Sequence, residues 1–169
     1  MKDSTAKKID ELLERYPALE PCRESLYAAV DKICESFRGG GKLMTCGNGG
    51  SAADAQHIVG ETALITAFSN DKAPDLIFAQ QVFGLGKRGD VLLAISTSGN
   101  SDNVVYAVEV AKILGVTTIS LTGRRGGKLK HISNVTICAP SDETFKIQEY
   151  HLPIYHALCI AAENEFFSR

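Results

Sequence analysis

The chain has 169 residues, 44% of them hydrophobic and 22% charged, with a formal net charge of -2. Those values fit one soluble globular domain with a sizeable core. They give no electrostatic basis for DNA, RNA or an anionic membrane as the main partner, so any anion recognition must be local, from loops and helix ends.

Residues 5–38 read as helical and amphipathic. Ile9, Leu12, Leu13 and Tyr16 share a face, Pro17 and Pro21 interrupt, and Leu26, Val30, Ile33 and Phe37 follow at three- and four-residue steps before Gly39-Gly40-Gly41 ends the run. This N-terminal helical segment, residues 1–41, is expected either to pack on the core as an extra layer or to form an oligomer contact, the contact being preferred. From residue 42 to 169 strand and helix patterns alternate. Short, β-branched runs without polar alternation predict strands over 42–46, 90–95, 116–121 and 134–139, covered on both faces. Helices are predicted over 51–68, 75–86, 101–114, 126–131 and 144–166. The alternation implies an α/β fold of three layers, a parallel sheet flanked by helices, with ligands at the carboxyl ends of the strands.

No stretch is long and apolar enough to cross a bilayer, and Met1-Lys2-Asp3-Ser4 opens no signal peptide. Cys22, Cys34, Cys46, Cys138 and Cys159 are scattered without a C-x-x-C pair. A cytoplasmic protein with small buried thiols is the expectation.

Two strand-to-helix turns carry the functional signal. The first is Gly47-Asn48-Gly49-Gly50-Ser51, where glycines permit close backbone approach and Ser51 could cap the next helix. The second, Ser96-Thr97-Ser98-Gly99-Asn100-Ser101, sets four hydroxyl groups around one glycine. One such turn is ordinary punctuation; two, one so dense in hydroxyls, point to a phosphate at a helix N-terminus. Neither the Walker pattern nor G-x-G-x-x-G is present, so a sugar phosphate is favoured over a nucleotide.

Polar groups on the helices add chemistry. His57 and Glu61, spaced i,i+4, share a helix face. Gln148, His151 and His156 fall on a helix containing Pro153, whose kink could bring Gln148 and His156 toward one point. His57, Glu61, Gln148 and His156 suit either a borderline metal such as zinc or metal-free acid–base chemistry. His151 is the ordinary competitor of His156, and Tyr150 and Tyr155 read as packing residues.

The runs GNGGSAADAQHIVGE (47–61), SNDKAPDLIFAQQV (69–82), GDVLLAISTSGNSDNV (89–104), ISLTGRRGGKL (119–129) and KIQEYHLPIYHALC (146–159) together resemble the sugar-isomerase (SIS) domain family. Within it they are most similar to the branch acting on sedoheptulose 7-phosphate, and the likeness runs from about Lys42 to the end. The resemblance implies a single SIS domain over 42–169. It implies substrate contacts from Asn48, Gly49, Gly50, Asn70, Asp71, Ser96, Thr97, Ser98, Ser101 and Gln148. It also implies one zinc ion per subunit on His57, Glu61, Gln148 and His156, with Glu61 and His156 as the proton-transfer pair and sites completed across a homotetramer.

The implied reaction converts sedoheptulose 7-phosphate to D-glycero-D-manno-heptose 7-phosphate through a cis-enediol, in bacterial heptose biosynthesis. Glu61 is assigned the base; a Glu that also ligates zinc is a poorer free base, so the two roles are successive or rival. One departure stands out. Family members carry an extra segment, including a strand, between the His57–Glu61 helix and Asn70-Asp71, whereas here Glu61 passes straight into Thr62-Ala63-Leu64-Ile65-Thr66-Ala67. The alternative function is a non-catalytic SIS-domain protein that binds the replication initiator or senses sugar phosphates. His156 and the unbroken Ser96-Thr97-Ser98-Gly99 run favour the enzyme.

Overall fold

Runs of valine, isoleucine and leucine with no polar alternation have nowhere to face water, and they become the middle layer. The computed structural model describes residues 1–59 and 74–167, the side chains of 56–59 excepted. Within these, β1 (Leu43–Gly47), β2 (Val91–Ile95), β3 (Thr117–Thr122) and β4 (Val135–Cys138) form one parallel sheet in the order β1-β2-β3-β4. Leu43 pairs with Val91, Val91 with Thr117, and Ile119 with Val135. Each strand lies within one residue of its predicted position at either end. Residues 60–73, where the sequence departs from the family pattern, lie outside the described residues.

Alternate side chains of each strand enter two separate cores, the period-two consequence of the pleat. Val91, Leu93, Ile95, Ile119, Leu121 and Ile137 meet the helices α1 (Asp3–Arg15), α2 (Arg23–Arg38) and α7 (Thr144–Phe167). Cys46, Leu92 and Ala94 meet α4 (Ile77–Leu85) and α5 (Asp102–Ile113) on the opposite side. The result is the three-layer α/β/α sandwich. Between them, α3 (Gly50–Val59) follows β1, and the short α6 (Leu129–Ile132) follows β3.

The N-terminal helices pack on the core: Ile9, Leu19, Leu26 and Val30 are fully buried in the first cluster. Pro17 and Pro21 fall in a 3-10 turn, Pro17–Cys22, that separates α1 from α2, as their lost donors and fixed φ require. A carboxylate anchors this layer. Glu165 near the end of α7 accepts hydrogen bonds from the Lys2 amide at 2.8 Å and the Thr5 hydroxyl at 2.7 Å, and pairs with the Arg38 guanidinium. At the amino ends of the strands, Asp90 accepts from the Lys42 ammonium (2.5 Å) and the Lys42 and Lys87 amides (both 3.0 Å). Burial alone would raise its pKa, but these donors outweigh burial and hold it low.

Two expectations change. The helix predicted over 126–131 shrinks to Leu129–Ile132 because Gly126 and Gly127 take positive φ, 74° and 56°, in a tight turn against the preceding loop. The helix predicted over 51–68 is described only as Gly50–Val59. There Ser51 is already inside the first turn and 3% exposed, so it is not the cap.

Candidate active site

Three loops meet at the carboxyl end of the sheet. In the second turn, Ser96 Oγ lies 3.1 Å from Ser101 Oγ and 3.5 Å from Ser98 Oγ, while the Asn100 amide donates to Ser98 Oγ at 3.1 Å. Ser101 is the N-cap residue of α5, yet its hydroxyl makes no capping bond and pairs with Ser96 instead. The first amides of α5 are thus left without their usual side-chain acceptor beside a cluster of hydroxyl groups. That combination suits a phosphate. Thr97 supplies its carbonyl to the Gly123 amide at 2.9 Å, tying this turn to the loop after β3. The tie is reinforced by the Leu129 amide to the Gly99 carbonyl (3.1 Å) and the Lys128 amide to Asn100 Oδ1 (2.9 Å). A Cβ on Gly99 would sit 2.0 Å from the Gly126 carbonyl oxygen, so only glycine allows the two loops to nest.

The first turn joins this platform through amides. Asn48 Nδ2 donates to Asn103 Oδ1 at 2.8 Å, and Asn103 Nδ2 returns a bond to Asn48 Oδ1 at 2.9 Å. Asn103, on the first turn of α5, was not singled out by sequence reasoning; a pairing between residues 55 apart has no local signature. On its other flank the first turn meets α7. A Cβ on Gly50 would fall 2.3 Å from Gln148 Nε2, so the half-buried carboxamide of Gln148 lies directly against that backbone. One turn further along α3, Asp54 hydrogen-bonds Tyr155; burial first, then the Asp54 charge and this bond, raise the phenol's pKa. Tyr155 therefore does more than pack, and the helix bearing His57 is keyed to the helix bearing Gln148 and His156.

The remaining site residues fall as follows. His151 is fully buried, its Nε2 3.2 Å from the Thr122 carbonyl and its Nδ1 without a hydrogen-bond partner among the described residues. Burial pushes its pKa down to about 4, only partly opposed by that carbonyl, so it is a neutral core histidine. His156 is exposed, its ring edge-on to Tyr155 at 4.9 Å, and it lines a groove with Lys8, Glu11, Arg15 and Tyr16 of the α1 side. Helix α7 continues through Pro153, and eight residues of helix put His156 about 12 Å of rise beyond Gln148. The two therefore meet different neighbours within one chain. His57 lies on α3, with its side chain outside the description, and Glu61, Asn70 and Asp71 are outside the described residues.

The donor types His, Glu, Gln and His suit a borderline divalent cation. Among the described residues, however, no group of three or more His, Cys, Asp or Glu side chains converges. A single chain does not bring Gln148 and His156 to one ion.

A model of the SIS domain matches residues 6–77 and 62–123, more than half the chain. This chain belongs to the SIS-domain family. The two matched stretches overlap at 62–77, just after Glu61. Among relatives of this SIS-domain chain, the phosphoheptose isomerase of Helicobacter pylori (strain Shi470) is 42% identical, with all of both chains covered. The structure of phosphoheptose isomerase from Neisseria gonorrhoeae superposes with a TM-score of 0.81 at 35% identity, covering 95% of this chain and 94% of that one. One from Francisella tularensis gives 0.80 at 34%, covering 96% and 94%.

Proposed function

We propose that this chain is a phosphoheptose isomerase that converts sedoheptulose 7-phosphate to D-glycero-D-manno-heptose 7-phosphate for heptose biosynthesis. The observation that carries the reading is the hydroxyl turn of Ser96, Ser98 and Ser101 at the uncapped start of α5, joined through Asn103 to the Asn48 turn and flanked by Gln148. A phosphate held by Ser96, Thr97, Ser98, Ser101 and the α5 amides fixes one end of the sugar. Its hydroxyl groups then run toward Asn48, Gly49, Gly50 and Gln148, with Asn70 and Asp71 as further contacts. Fixing both ends converts proton transfer into an intramolecular problem.

Glu61 removes the proton from the carbon beside the ketone, and the electron pair forms the enediol double bond as the carbonyl oxygen takes a proton. The enediol then collapses to the aldehyde as a proton is delivered to the old carbonyl carbon. His156 moves the proton between the two oxygens, a task suited to an imidazole near neutrality. Because His156 faces the α1 groove of its own chain, we assign it to the site of a neighbouring copy in a homotetramer. His57, Glu61 and Gln148, with His156 of that copy, would hold one zinc ion per subunit, which when bound polarises the substrate's carbonyl and hydroxyl oxygens. We assign the protein to the cytoplasm from its scattered cysteines, which form no C-x-x-C pair. Among the described residues no helix is long and apolar enough to cross a membrane. The relatives named as isomerases disfavour the alternative of a non-catalytic SIS-domain protein that binds the replication initiator or senses sugar phosphates.

A proton-NMR time course with sedoheptulose 7-phosphate tests the reading: aldose should accumulate with the wild type and not with Glu61→Gln at an unchanged unfolding temperature. Equal turnover by the variant removes Glu61 as base. Elemental analysis of untagged protein tests the ion. Full activity in chelator without stoichiometric metal leaves a metal-free acid–base path.

A further inference from the structure

Asn103 sits two residues beyond Ser101 and forms a closed amide pair with Asn48, each side chain giving one N–H and taking one at 2.8 and 2.9 Å. Among the described residues this is the one side-chain hydrogen-bonded link between the first turn and α5. The backbone of the tip is tied to its own helix, the Ala52 amide donating to the Asn48 and Gly49 carbonyls (3.2 and 3.0 Å) and the Ala53 amide to Gly49 (3.2 Å), so the Asn103 pair acts on the Asn48 side chain. Asn48 and Gly49 are exposed, and among the described residues nothing lies within 4 Å of where a Cβ on Gly49 would be. Solvent competes for an exposed amide pair, so the pair adds little to global stability. Its effect is positional. Each amide keeps one N–H and one lone pair unused, and for Asn48 the orientation of that remaining pair is dictated by Asn103.

Resting on the isomerase reading, we infer that Asn103 is a positioning residue that orients the Asn48 carboxamide toward the sugar and sets the gap between the phosphate turn and the sugar turn. A ligand long enough to span both turns benefits from the pair. One that fills only the phosphate turn does not. Freeing Asn48 makes the substrate pay the cost of fixing one side chain, which corresponds to a rise of about three- to tenfold in KM.

The test is a double-mutant cycle on the intact protein with Asn48→Ala, Asn103→Ala and both together, reading kcat and KM for sedoheptulose 7-phosphate and inhibition by inorganic phosphate. Asn103→Ala should raise KM about three- to tenfold and hold kcat within about twofold. Its phosphate inhibition constant should match wild type. In the Asn48→Ala background it should add nothing. Additive effects, an equal weakening of inorganic phosphate, or an unchanged KM each overturn the inference. If wild type shows no turnover, the isomerase reading itself has failed. Calorimetric binding of sedoheptulose 7-phosphate against inorganic phosphate then reads the same cycle without catalysis, and the same three outcomes overturn it.

Discussion

Gly50→Ala separates site geometry from folding at a single methyl group. The added Cβ would lie 2.3 Å from Gln148 Nε2, 2.9 Å from its Cδ and 3.1 Å from its Oε1, whereas ordinary contact begins at 3.4 Å. The carboxamide must therefore retreat by about 1 Å, and it can, because it ends a flexible side chain. The fold has little reason to suffer: the position opens α3, where alanine is the better helix former by up to about 1 kcal/mol. Catalysis should suffer. A displacement of about 1 Å in a group that positions substrate can cost about 100-fold. Circular-dichroism melts and initial-rate kinetics on the two proteins make the comparison. We expect an unfolding temperature within a few degrees of wild type and kcat/KM lowered by about 10- to 100-fold. Gln148→Ala should show a similar loss, and the double variant no more than the worse single. Full activity in Gly50→Ala would refute the claim that Gln148 works from where it lies.

His151 predicts an acid-side loss of stability. Its folded pKa of about 4 lies below the ordinary 6.5, so its stabilisation is complete above pH 6.5 and is lost as pH falls toward 4. Between pH 7 and 5 that amounts to about 2 kcal/mol, measurable by urea unfolding, and His151→Leu should flatten this part of the profile; an unchanged slope would contradict the assignment. Glu165→Ala strips the acceptor from the buried Thr5 hydroxyl and the Lys2 amide and should cost about 1–3 kcal/mol. Amide exchange in α1 would rise with it, and a loss below about 0.5 kcal/mol would show that the carboxylate does not anchor that layer. Asp90→Asn should likewise lower the urea midpoint without changing KM, since Asp90 holds the amino ends of β1 and β2, away from the ligand end; a raised KM would contradict that separation.

The layers were legible in the sequence because their cause is local. A run such as Val91-Leu92-Leu93-Ala94-Ile95 can only be a strand covered on both faces, and all five residues are at most 1% exposed. The hydroxyl turn was legible for the same reason, since its chemistry is spelled out in consecutive residues. What failed to show depends on distant partners. Gly126-Gly127 read as the start of a helix because nothing nearby announces that Gly99 will nest against them. Tyr155 read as packing because its acceptor, Asp54, is on another helix. His156 and Gln148 looked like companions on one kinked rod, but the rod presents them to different neighbours. Partnership is a tertiary property, and periodicity along one element does not encode it.

The nesting of Gly99 against Gly126 has a kinetic consequence. The two loops pack so closely that a Cβ on Gly99 would overlap the Gly126 carbonyl oxygen, so the proposed phosphate berth would be built before any ligand docks. Phosphate capture should then be one fast, concentration-linear phase in stopped-flow, with any slower relaxation belonging to the sugar's far end. Substituting Gly99 would spoil the berth itself, and even bare phosphate would no longer be held.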